Sequence, residues 1–82
     1  MFYVYILHSA SAGKYYVGCT QDVSNRLREH NQGETRSIRH GIPWELIHVE
    51  EFQTRAEAVR QENKIKARGI GRYLQSLGKL TV

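Results

Sequence analysis

The chain has 82 residues, with twelve Lys and Arg against eight Asp and Glu and a net charge of +4. One domain spanning 1–82 is expected, with a thin core that buries roughly 60–65% of the unfolded surface. No apolar run nears the ~20 residues of a membrane span. Phe2 to Leu7 lacks the basic leader and cleavage site of a signal peptide, so a soluble, cytoplasmic protein is expected. The single cysteine, Cys19, excludes an internal disulfide and a cysteine-based zinc site. The positive charge suits a phosphate-rich partner, although it serves equally to keep a surface solvated.

Phe2 to Ser9 reads as a strand, with Tyr3, Tyr5 and Leu7 on one face and Phe2, Val4 and Ile6 on the other. A small polar turn carrying Gly13 leads to a second strand, Tyr15 to Thr20, so the chain opens with a β-hairpin. A four-residue loop from Ser9 to Ala12 would set Tyr5 opposite Tyr16. A slip of one residue would bring Tyr15 across instead, and the residues alone leave that parity open. Asp22 to Gln32 reads as a helix, capped by Thr20 or Asp22 and ended by Gly33. Its inward stripe is Val23 and Leu27, with His30 between them and Arg26 at the edge. Arg26 and His30 stand at i and i+4 and are therefore neighbours.

Glu34 to Ile42 reads as a polar loop before Pro43, and Trp44 to Phe52 as a third strand. Thr54-Arg55-Ala56-Glu57 has the form of a capping box, starting a helix that runs to about Arg68. Gly69 and Gly71 should end it, leaving a short final helix from Arg72 to Leu77. The order β-β-α-β-α-α predicts an α/β (α+β) fold, a three-stranded antiparallel sheet flanked by helices.

One residue breaks the pattern of the long helix. Ala58, Val59 and Ile65 make an apolar stripe, and Glu62 projects into the middle of it. A carboxylate facing a core is costly unless it is paired, hydrated or bound to a cation. The ordinary reading is a rim glutamate whose head reaches water or an arginine. The functional one is a ligand for magnesium, which is often held by one or two carboxylates with waters and substrate phosphates. Five tyrosines are mostly packing residues with a wet tip. A phenol of ordinary pKa near 10 is a poor base, but beside a hydrated cation it could align an attacking water. Arg26 taken alone is a surface charge, and His30 a core histidine. The histidines at 8, 30, 40 and 48 lack metal-ligand spacing.

Taken in order, Val4-Tyr5-Ile6, Tyr16-Val17-Gly18, Arg26 with His30, and Glu62 resemble the GIY-YIG nuclease superfamily. Pro43-Trp44, Arg60-Gln61-Glu62 with Lys64-Ile65-Lys66, and the tail from Gly69 to Leu77 look like its small single-domain bacterial branch. The resemblance implies metal-dependent hydrolysis of nucleic-acid phosphodiester bonds, with DNA the first expectation as substrate and Mg²⁺ or Mn²⁺ as cofactor. Carried over by position, Tyr5 and Tyr16 orient or activate the attacking water and Arg26 steadies phosphoryl charge. His30 helps in proton transfer or phosphate contact, and Glu62 is the metal ligand. Val4 stands where the name-giving pattern has glycine, Val17 replaces isoleucine, and no residue matches a late asparagine found in some members. An inert nucleic-acid-binding domain on the same scaffold is the alternative. Arg36, Arg39, Lys64, Lys66, Arg68 and Arg72 are the expected phosphate contacts, which position a backbone without reading sequence.

Overall fold

The structure, a computed structural model, describes residues 1–78. In chain order it comprises β1 (Phe2–Ser9), β2 (Lys14–Thr20), α1 (Val23–Asn31), a 3₁₀ segment (Arg36–Gly41), β3 (Glu45–Phe52), α2 (Arg55–Arg68) and α3 (Ile70–Ser76). The three strands form one antiparallel sheet in the order β2-β1-β3. The apolar alternation of β1 accounts for its central place. Val4 and Ile6 pack with Val17 against Ala58, Ile65 and Leu74 of α2 and α3. Tyr5 and Leu7 pack on the opposite face with Ile38 and Trp44, joined by Tyr16, Val23 and Leu27. A strand covered on both faces must be apolar on both, and Val4 through Leu7 are all buried.

Local signals place the helices. The Thr54 hydroxyl accepts from the Glu57 amide, and the Glu57 carboxylate accepts from the Thr54 amide, which closes the expected capping box. The stripe on α2 is narrower than expected, because Val59 is 39% exposed while Ala58 and Ile65 are sealed. Val59 stands about 100° round the helix from Ala58, outside the arc that meets the sheet. Gly69 alone separates α2 from α3. With φ +100 it turns the chain, its N–H donates to the Ile65 carbonyl, and its own carbonyl accepts from Tyr73. The last helix therefore begins at Ile70 and contains Gly71, rather than starting at Arg72.

Two more expectations are corrected between α1 and β3. The polar loop from Glu34 contains the 3₁₀ turn, which buries Ile38. Trp44 lies just before β3 and is buried, its indole N–H donating to the Ile38 carbonyl at 2.8 Å. Asn31 at the end of α1 holds this entry point, accepting from the Trp44 amide at 2.6 Å and donating to its carbonyl at 3.0 Å.

A polar clasp ties α3 to the sheet. Glu50 of β3 accepts from Gln61 of α2 at 3.0 Å and from the Tyr73 hydroxyl of α3, and it meets His48 Nε2 at 2.7 Å. Burial, reinforced by the Glu50 carboxylate, pushes the Tyr73 phenol up to about 12. Removing the shared acceptor leaves three half-buried groups without their partner. Glu50→Ala should lower stability by about 1–3 kcal/mol in denaturant melts. A midpoint equal to that of the native protein would show that the clasp contributes nothing.

Candidate active site

The hairpin brings the two tyrosines together. Its turn is Ala10 to Gly13, one residue later than the sequence suggests, so Tyr5 pairs with Gly18 and Leu7 with Tyr16. The expected direct pairing of Tyr5 with Tyr16 is thus displaced by two residues. An even displacement preserves the face. The two rings lie on one side of the sheet as diagonal neighbours, with centroids 6.2 Å apart. Gly18 makes room for this arrangement. A Cβ at that position would stand 2.6 Å from the Tyr5 hydroxyl, so even an alanine would displace the phenol.

α1 supplies the next two groups. Asp22 caps it through a bond from the Asn25 amide at 3.0 Å, and Thr20 accepts from the Asp22 amide. The phase set by this cap turns Arg26 and His30 toward Tyr5. His30 is fully buried, with Nε2 2.8 Å from the Tyr5 hydroxyl and its ring edge-on to Tyr16 at 5.2 Å. Burial first, and then the Arg26 charge, hold its pKa below the ordinary histidine value, so the imidazole is neutral. Its Nδ1 is buried without a partner. A bare ring nitrogen is less costly there than an orphaned N–H, which puts the proton on Nε2, donating to the Tyr5 oxygen. Burial lifts the Tyr5 phenol far above its ordinary range, with Tyr16 adding to the effect and Arg26 opposing it. Tyr5 is therefore a phenol at neutral pH. Arg26 lies beside Tyr5 and pairs with Glu29 at 3.1 Å.

Glu62 comes from the other face. β2 is an edge strand, and Cys19, one residue past Gly18, turns toward the α2 side. Glu62 sits beside that thiol, which burial and then the Glu62 carboxylate push up to about 12. The Glu62 side chain is 17% exposed, neither sealed nor free, and its Oε2 meets Lys66 Nζ at 2.7 Å. The Lys66 ammonium also feels Tyr16 and Cys19 of β2. A cleft of about 420 Å³ opens beside the first turns of α1 and α2, lined by Cys19, Asp22, Arg26, Glu29, Arg55 and Ala58.

Among the described residues no cluster of three or more His, Cys, Asp or Glu could cage a metal. Beside Glu62 the Cys19 thiol stays protonated, so the carboxylate is the hard anionic donor of that pair. A lone hard oxygen suits a largely hydrated Mg²⁺ or Mn²⁺ completed by a phosphate, and does not suit zinc. The residues present therefore fit the group, with Glu62 as its holder.

The expected phosphate contacts do not form one surface. Lys66 is tied to Glu62. Lys64, two residues after Glu62, and Arg68, two after Lys66, each stand about 200° round α2 from that residue, on the other side of the helix. Arg36 and Arg39 are exposed on the 3₁₀ segment, and Arg72 is exposed on α3. Arg55, by contrast, lines the cleft and lies 5.5 Å from the Phe2 ring centroid. It precedes Glu62 by seven residues, two turns along the same face, and that spacing is the signal that could have found it.

A three-stranded antiparallel sheet flanked by helices, with two tyrosines on one face of its first hairpin, defines the class of fold. The GIY-YIG catalytic domain matches residues 1–69, and the chain belongs to that family. It is 42% identical to a UPF0213 protein of Halobacterium salinarum over 80% of this chain and 86% of that protein. It is also 47% identical over 51 residues to a structure-specific endonuclease subunit SLX1 homologue of Trypanosoma cruzi, covering 54% of this chain and 10% of that one. The solution structure of a UPF0213 protein from Bacillus halodurans superposes with a TM-score of 0.57 at 31% identity, covering 95% of this chain and 84% of that one. No helix among the described residues is long and apolar enough to cross a membrane.

Neutral burial of His30 has a consequence for acid stability. Its folded pKa is depressed, so below about 6.5 the unfolded chain takes up a proton that the folded chain refuses. Stability is full above that value and falls as pH drops through the window. His30→Gln, followed by urea melts from pH 7 to 5, should show a shallower decline than the native protein. Identical slopes would contradict the buried neutral imidazole.

Proposed function

We propose that this protein is a divalent-metal-dependent endonuclease that hydrolyses phosphodiester bonds, with DNA as its substrate. The supporting observations are the grouping of Tyr5, Tyr16, Arg26 and His30 on the α1 face and the half-buried Glu62 beside Cys19 of the edge strand β2. Family membership supports the reaction class. The Trypanosoma relative is a structure-specific endonuclease subunit homologue, which makes branched duplexes the first substrates to assay.

Each group has a task suited to its surroundings. Tyr16 is half-buried beside Tyr5, and its hydroxyl orients the attacking water. Tyr5 does not act as a base, because burial keeps its proton in place. With Nε2 of His30 donating to its oxygen, its own hydrogen is free to point at water or phosphate. His30 is sealed from substrate and serves as a positioning residue for Tyr5, not as a proton carrier or phosphate contact. Arg26, held by Glu29, offsets charge growing on the phosphoryl oxygens. Glu62 holds the divalent ion, which when bound supplies Lewis-acid polarisation of the phosphate and a template for in-line attack. Arg55 and the exposed arginines of the 3₁₀ segment guide the backbone.

One observation favours the inert-binder alternative, since Glu62 already has a cation in Lys66. Nicking of plasmid and branched DNA with Mg²⁺ or Mn²⁺ separates the two readings. Glu62→Ala should reduce cleavage by at least about 10²–10³-fold, and Tyr16→Phe by about 10²–10⁴-fold, with melting curves unchanged. Metal-dependent cleavage that persists at full rate in Glu62→Ala would overturn the assignment.

A further inference from the structure

Glu62 and Lys66 are one helical turn apart with the acid first, the favourable order for such a pair. Most pairs of this kind are solvated ornaments on a helix. This one differs in two respects. Its carboxylate is mostly buried at the margin of the apolar stripe, where attraction between charges is screened less than in open water. Its ammonium also lies within electrostatic reach of Tyr16 and Cys19. The lysine itself is 54% exposed, so its four-carbon stem has room to swing. Among the described residues Glu62 is its one ion-pair partner.

We propose that Lys66 is a resident cation for Glu62, one that couples divalent-ion binding to the arrival of a nucleic-acid phosphate. The inference rests on the reading that Glu62 holds the metal. A divalent ion on either oxygen of the Glu62 carboxylate would stand within a few ångströms of the Lys66 ammonium, where like charges repel strongly. Metal entry therefore displaces Lys66. Without substrate the displaced ammonium gives up its ion pair for water and gains nothing. With substrate it finds a phosphate oxygen. Metal affinity is then low in the free protein and higher in the complex, and by linkage the metal tightens nucleic-acid binding by the same factor. Lys66 is on this account a positioning residue that exchanges one anion for another.

The test measures Mn²⁺ affinity by electron paramagnetic resonance in a Tyr16→Phe background, with and without a short DNA duplex, so that turnover does not interfere. Lys66→Met keeps the stem and removes the charge. It should bind Mn²⁺ roughly tenfold more tightly than its Lys66 parent in the absence of DNA. DNA should raise the affinity of the Lys66 protein roughly tenfold and leave that of Lys66→Met nearly unchanged. Lys66→Arg should restore most of the coupling. Equal Mn²⁺ affinity in Lys66 and Lys66→Met proteins, or an equal response to DNA, overturns the proposal. Glu62→Gln separates the two layers of the argument. If it abolishes Mn²⁺ binding while Lys66→Met changes nothing, the exchange alone is wrong. If Mn²⁺ binds Glu62→Gln normally, the metal assignment and the exchange fall together.

Discussion

The site depends on the Tyr5 ring lying flat across Gly18. Tyr5 belongs to the central strand, so its position is fixed by packing on both sides of the sheet. The missing side chain at Gly18 lets a large ring sit over the edge strand, where its hydroxyl meets His30 and nears Arg26. Any side chain at position 18 would lift that hydroxyl and break its bond to the imidazole. Close packing passes such a shift on to its neighbours, because interiors have little free volume to absorb it. The neutral state of His30 follows from the same seal. So does the phenol state of Tyr5, and with it the division of labour between the two tyrosines.

The sheet is what allows groups from opposite layers to meet. Tyr5, Tyr16, Arg26 and His30 belong to the α1 side, whereas Glu62, Lys66 and Cys19 belong to the α2 side. Both sets border β2, which is an edge strand among the described residues. An interior strand would have kept the two sets apart by the thickness of the sheet. The edge also leaves Glu62 half-covered. Enough water is excluded to strengthen its pairing with Lys66, and enough access remains for a hydrated ion.

Much of this was legible in the residues. Alternation along β1 separated the two cores, the Thr54–Glu57 box started α2, and the order of Tyr5, Tyr16, Arg26, His30 and Glu62 pointed to the family. What escaped was decided by tertiary contact. The hairpin turn moved by one residue because Ser9 stays in its strand, accepting from the Ala12 amide at 3.1 Å, while Gly13 takes the positive φ. Every pairing then shifted by two, and the shared face survived only because two is even. A single isoleucine, Ile38, folded a segment that composition described as loop. Val59 looked inward until the rotation of α2 was known. The partner of Glu62 lay one turn away, yet spacing could not reveal whether Lys66 covers the carboxylate or serves a phosphate.

The central claim is that one phosphate can touch Glu62 through a divalent ion and Arg26 directly, with Tyr16 poised behind it. A crystal structure of the Tyr16→Phe protein with Mn²⁺ and a short duplex tests this most directly, since Mn²⁺ scatters anomalously. The account predicts a single strong anomalous peak at the Glu62 carboxylate and a backbone phosphate bridging it to the Arg26 guanidinium. A duplex bound elsewhere, or a manganese peak remote from Glu62, would contradict it.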